Sequence, residues 1–124
     1  LDACASQVDR QAVVAAQGYM IAEALTRCHI PVRVTSFCSL SGYTVLTRYR
    51  DYQEQDRNER IFRYFTTGCN RDGLAIRALA REIEESSYEH KLVIGTAPMW
   101  TTPGTTVSRI PPWRSALCSS GTFP

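Results

Sequence analysis

The sequence predicts an α/β domain, and three observations predict it. Helical and extended stretches alternate along the first 94 residues, the order that builds a sheet covered by helices. Apolar residues recur at helical spacing in two segments and at β-type enrichment in three others. With 124 residues and 44% apolar content, there is enough chain for one modest core and too little for two domains.

Each element follows from local chemistry. Leu1–Ser6 begins as the remnant of a strand. From Val8 to Cys28 the spacing predicts a helix, since Val14, Ile21, Leu25 and Cys28 fall 7, 4 and 3 residues apart, on one face. Five alanines add helix propensity, and Gly18 marks a point where another element can approach closely. Pro31 ends that run. Pro31–Phe37 and Tyr43–Tyr49 are β-branched and aromatic, and Ser39–Gly42 supplies a turn, so the pair predicts a hairpin. Asp56 and Glu59 have the spacing of a capping box, predicting a short helix over Asp56–Phe65. Thr66–Arg71 is a loop of small and polar residues. Asp72 is a good N-cap for a helix over Leu74–Ser86, whose Ile76, Leu79, Ala80 and Ile83 form a stripe, with Arg81 and Glu85 paired on the other face. Lys91–Ile94 is a short apolar strand.

Composition changes abruptly after Ile94. All 12 acidic residues precede Gly95, whereas five of the six prolines and six threonines follow it. The expected organisation is a domain over 1–94 and an irregular, disordered Pro/Thr-rich tail over 95–124.

Several functional classes are disfavoured. Fourteen basic against 12 acidic residues is too even a balance for nucleic acid or an anionic membrane. No segment approaches the about 20 apolar residues of a membrane span, and no signal peptide is visible. The arginine-rich stretch from Arg48 to Arg71, with Tyr49, Tyr52, Phe62 and Tyr64 interspersed, carries Asp51, Glu54, Asp56 and Glu59 among its cations. It therefore predicts a solvated, partner-facing surface. Five cysteines (Cys4, Cys28, Cys38, Cys69, Cys118) cannot all pair within one chain and show no zinc-ribbon spacing, which predicts reduced thiols and a cytoplasmic protein. Cys28, Cys38 and Cys69 are expected as buried small hydrophobes.

In open α/β sheets ligands sit at the carboxyl ends of the strands, which singles out Asp2–Ser6, Thr66–Asp72 and the residues after Ile94. Two of these loops carry a resemblance. Leu1-Asp2-Ala3-Cys4-Ala5-Ser6 resembles the D-x-S-x-S motif that opens a von Willebrand factor A domain, with Cys4 at the first serine. Thr67-Gly68-Cys69-Asn70-Arg71-Asp72-Gly73-Leu74-Ala75-Ile76-Arg77 resembles the N-R-D-G-x-A-I-R stretch of one branch of that family, the nitric oxide reductase activation proteins and CobT-type cobaltochelatase subunits. The resemblance implies a partial Rossmann-like open sheet with helices on both faces. It further implies a metal-ion-dependent adhesion site in which Asp2, Ser6, Thr67 and Asp72 hold Mg²⁺. Members act as adaptors beside a MoxR-type AAA+ ATPase, helping to insert or activate a metal centre in a target metalloenzyme, and are not catalysts.

Three departures qualify that implication. A thiol at Cys4 is a poor Mg²⁺ ligand. Gly95-Thr96-Ala97-Pro98 lacks the acidic third loop of the family. The likeness stops at Gly95, which implies a truncated domain whose tail is either frame-shifted or naturally degenerate. The expectation is a degenerate site that binds Mg²⁺ more weakly than roughly millimolar. The alternative from another class is a small cysteine-dependent enzyme with Cys4 as nucleophile. Its base would have to be His29 or His90, both distant in sequence.

Overall fold

A computed structural model describes residues 1–69, 72–96 and 105–109, without the side chains of 72, 96 and 105–109. The chain is mixed α/β, as predicted. A 3₁₀ turn over Ala5–Arg10 leads into helix α1 (Gln11–Arg27), followed by strands β1 (Val34–Leu40) and β2 (Tyr43–Arg50). A second 3₁₀ turn over Asn58–Arg63, helix α2 (Asp72–Glu84), strand β3 (Leu92–Thr96) and strand β4 (Thr105–Arg109) complete the order.

The predicted helix over Val8–Cys28 thus splits into a tight first turn and a regular α-helix. It stops without glycine or proline at the end itself. His29 adopts φ 57°, its amide donates to the Thr26 carbonyl at 2.9 Å, and the Ile30 amide donates to Leu25 at 2.9 Å. These two bonds form a Schellman cap, so His29 terminates a helix. Gly18 does admit a neighbour: a Cβ there would lie 3.0 Å from Leu1 Cδ2 and 3.5 Å from Ile61 Cγ2.

The hairpin is antiparallel, with Leu40 opposite Tyr43 and Phe37 opposite Leu46. Its turn is only Ser41-Gly42, with φ values of 49° and 86°. Two consecutive positive φ angles make a primed turn, whose twist matches the strands. The strand β1 therefore runs three residues later than propensity predicts. Ser39 and Leu40 find partners on β2, while a register shift at Val34/Thr35 leaves 31–33 outside the ladder. Leu1–Cys4 lies along the other edge of β1 in parallel sense, bridged at Asp2–Phe37. The Ala3 amide donates to Phe37 at 2.9 Å and the Phe37 amide to Leu1 at 3.0 Å.

Alternation along the hairpin separates two faces. Val34, Cys38, Val45 and Tyr49 join Val14, Ala15 and Ala22 of α1 and Ile61 and Tyr64 in one core. Arg48, one position from Tyr49, instead donates to Glu82 of α2 at 3.0 Å. Hence α1 and α2 cover opposite faces of the hairpin.

Several expectations are corrected. The segment Asp56–Phe65 forms a 3₁₀ turn, not an α-helix, and its N-cap is Arg57 with no side-chain capping bond. Asn58 is drawn inward and Glu54 pairs with Arg57 and Arg60, which takes the place of the capping box. The tail is not wholly irregular, because Thr105–Arg109 pairs antiparallel with β3, placing Leu92 opposite Arg109 and Thr96 opposite Thr105. The β-branched run Thr105-Thr106-Val107 suits a strand, and the β3–β4 pair crosses the boundary that composition places after Ile94. The rest of the tail lies outside the described residues. Among the described residues the ladders form two separate two-stranded sheets, β1–β2 and β3–β4.

Candidate functional site

The two motif-bearing loops lie side by side. The Thr67 amide donates to the Ala3 carbonyl at 2.8 Å, and the Ala5 amide to Gly68 at 3.0 Å. Beyond Ala3 the first segment diverges from β1, and Cys69 takes its place on that edge. Ser39 and Cys69 exchange two backbone hydrogen bonds, of 2.9 and 2.8 Å. Gly68 makes this possible. Its φ of 71° is left-handed, and a Cβ there would sit 2.3 Å from the Ser39 carbonyl oxygen. Asp2–Ser6 and Thr67–Cys69 therefore meet at the carboxyl end of β1.

Of the residues predicted for metal, Asp2 is buried, at 4% exposure. Its Oδ1 accepts the Cys4 amide at 3.0 Å, and its carbonyl accepts the Tyr64 hydroxyl. Ser6 is exposed in the first 3₁₀ turn and Thr67 is half-buried. Asp72 is the first residue of α2, and its carboxylate falls outside the described side chains. Cys4 is 2% exposed, and its thiol donates to the Cys69 carbonyl at 3.3 Å.

The described side chains among them fall short of a firmly held Mg²⁺, which wants about six hard oxygens in octahedral array. Asp2 already serves a backbone amide, and a thiol stands where the motif has a hydroxyl. Among the described residues no group of three His, Cys, Asp or Glu side chains is placed to hold a metal.

Burial shapes the electrostatics nearby. Desolvation, then the charge of Asp2, raises the Tyr64 hydroxyl well above its ordinary value. Burial, then Asp2, also pushes the Cys38 thiol up. Cys38 is buried as expected, whereas Cys28 and Cys69 are exposed, a correction to the reading of all three as core residues. Cys28 caps α1, and Cys69 sits on a sheet edge at the site.

The arginine-rich stretch divides into two kinds of residue. Arg33, outside that stretch, and Arg48 both pair with Glu82 at 3.0 Å, and Arg33 also meets Asp51 at 2.9 Å. The Arg33 guanidinium lies 4.4 Å from the centre of the Tyr52 ring, and Tyr88 packs edge-on against Tyr52 at 5.4 Å. This cluster lines an open groove of about 960 Å³ between the hairpin and α2. Arg50, by contrast, is 1% exposed and not part of any surface. It donates to Thr26 and Asn58, and Asn58 donates on to Glu23 at 2.8 Å. Charge alternation in the sequence could not distinguish Arg50 from Arg48. Strand alternation from core-facing Tyr49 would place both on the opposite face; the register irregularity that sets Val34 against Arg50 and Thr35 against Arg48 breaks that alternation.

No helix among the described residues is long and apolar enough to cross a membrane. Comparison with protein-family models, curated proteins and solved structures yields no match.

Proposed function

We propose that the chain is a protein–protein interaction module, an adaptor whose contact surface is the joined pair of segments Asp2–Ser6 and Thr67–Cys69. The observation that carries this reading is the backbone pairing of Ala3 and Ala5 with Thr67 and Gly68. It unites the two segments that resemble a von Willebrand factor A adhesion site, and it leaves Ala5, Ser6, Leu40 and Cys69 exposed around the junction. The parallel contact of Leu1–Cys4 with β1, and helices on both faces of the hairpin, support the same resemblance. The partner is a MoxR-type AAA+ ATPase in the cytoplasm, or the metalloenzyme that such an ATPase serves. Recognition rests on the protein surface, because the donors suit Mg²⁺ poorly. The burial of Cys4 weighs for this reading over that of a cysteine nucleophile, which needs an accessible sulfur.

The test is a two-dimensional ¹⁵N–¹H NMR titration of the chain with a MoxR-type ATPase, and separately with millimolar Mg²⁺. The expected result is broadening confined to residues 2–6 and 67–69 with the ATPase, and little change with Mg²⁺. Absence of binding, or changes centred on the Arg33–Glu82 groove, would overturn the proposal. Strong Mg²⁺ shifts at Asp2 would overturn only the statement about the metal.

A further inference from the structure

The geometry points to Cys4 and Cys69 as a dithiol that closes to a disulfide on oxidation by a peroxide. Two observations converge on this pair. The Cys4 sulfur lies 3.3 Å from the carbonyl oxygen of Cys69 itself. The pairing pattern independently puts both side chains on one face. Asp2 bridges Phe37, and Cys69 bridges Ser39. Bridge partners share a face, and so do residues two apart in an extended chain. Cys4 is extended, at φ −70° and ψ 153°, so it falls on the face of Asp2, Phe37, Ser39 and Cys69. Disulfides need neighbouring Cβ atoms with converging directions, and the shared face, with the Cys4 sulfur at the Cys69 carbonyl, brings the two residues within reach of that geometry.

The two thiols differ in access, which orders the chemistry. Cys69 is exposed and Cys4 is buried. The Cys69 thiolate attacks one oxygen of hydrogen peroxide, the O–O bond breaks, and the departing hydroxide takes up the thiol proton to leave as water. Cys69 is now a sulfenic acid. The Cys4 sulfur displaces its hydroxyl, an S–S bond forms as the S–O bond breaks, and a second water leaves with the Cys4 proton. The two thiols lose two electrons and the peroxide is reduced to two waters. A small dithiol reverses the change. The bond would pin the loop Asp2–Ser6 to the loop Thr67–Cys69, and it does not depend on what those loops bind.

The experiment treats the whole folded chain with stoichiometric hydrogen peroxide, blocks remaining thiols, and maps tryptic peptides by mass. The expected product is peptide 1–10 joined to peptide 64–71, lighter than their sum by two hydrogens and separated again by dithiothreitol. Cys69→Ser, at an exposed position, should abolish the linked peptide, and Cys28→Ser should leave it intact. Oxidation of Cys69 to the sulfinic acid while Cys4 remains a thiol would overturn the inference. Linkage of either residue to Cys28 or Cys118 would do so as well.

Discussion

Gly68→Ala should be among the most costly single-methyl additions in this chain, and Gly42→Ala shows why. Both glycines have left-handed backbones, φ 71° and 86°, and both alanines incur the αL penalty of roughly 1–2 kcal/mol. Nothing lies within 4 Å of a Cβ at Gly42, so its cost stops there. At Gly68 the new carbon would be 2.3 Å from the Ser39 oxygen, whereas carbon–oxygen contacts need about 3.3 Å. The two strands must part by about 1 Å, and the Ser39 carbonyl cannot yield without losing the Cys69 amide at 2.8 Å and its reciprocal bond at 2.9 Å. Two backbone hydrogen bonds at about 1 kcal/mol each bring the total to about 3–4 kcal/mol. Gly68→Ala should therefore exceed Gly42→Ala by about 2 kcal/mol in urea unfolding, or by roughly 8 °C in Tm. Equal losses, within about 0.5 kcal/mol, would refute the claim that the Ser39–Cys69 junction holds the second loop in place.

Glu82→Gln removes the carboxylate shared by Arg33 and Arg48. The expected loss is about 0.5–1 kcal/mol at low salt, vanishing in molar salt because the groups are partly exposed; paired urea titrations at two ionic strengths check it. Burial alone would raise the Asp51 carboxyl, but the Tyr52 amide and Arg33 outweigh that and hold it below 3.8. A depressed carboxyl contributes stability above its unfolded pKa and loses it as pH falls through the folded value. Stability should thus decline below about pH 4, and Asp51→Asn should flatten that decline in acid titrations followed by circular dichroism. Tyr64 is raised, so its contribution is present below its unfolded pKa of about 10 and is lost as pH climbs beyond it. Tyr64→Phe should cost about 1–2 kcal/mol at neutral pH, by stranding the Asp2 carbonyl, and should lessen the alkaline decline, to which the raised Tyr49 and Tyr52 hydroxyls also contribute.

What the sequence reveals about this fold depends on how local the determining physics is. The hairpin, α1 and α2 are legible because period and turn chemistry are properties of a few adjacent residues. Their ends are less so. The strand β1 gains Ser39 and Leu40 from partners on β2 and at Cys69, and Cys69 is 30 residues away by sequence number. The 3₁₀ form of Asn58–Arg63 arises because Asn58 bonds Arg50 and Glu23, a long-range demand that no capping pattern encodes. Composition changes after Ile94, yet β3 continues through it and β4 follows, since a lack of acidic residues does not prevent Thr105-Thr106-Val107 from pairing with β3.

The site divides along the same line. The sequence places Asp2–Ser6 and Thr66–Asp72 in loops, and the fold joins Ala3 and Ala5 to Thr67 and Gly68 by backbone bonds that involve no motif side chain. What those side chains do is set by neighbours the motif does not name. Asp2 is committed to the Cys4 amide and Cys4 to the Cys69 carbonyl, so the thiol at position 4 bears on more than one potential ligand. A soft, oxidisable sulfur stands there, bonded to the carbonyl of a second cysteine. It weakens the case for a cation and supplies one half of the proposed dithiol. Cys4→Ser separates the two effects: it should remove the proposed disulfide. A gain in Mg²⁺ response should follow only if the Asp2 carboxylate can leave its backbone donor, which the buried turn opposes.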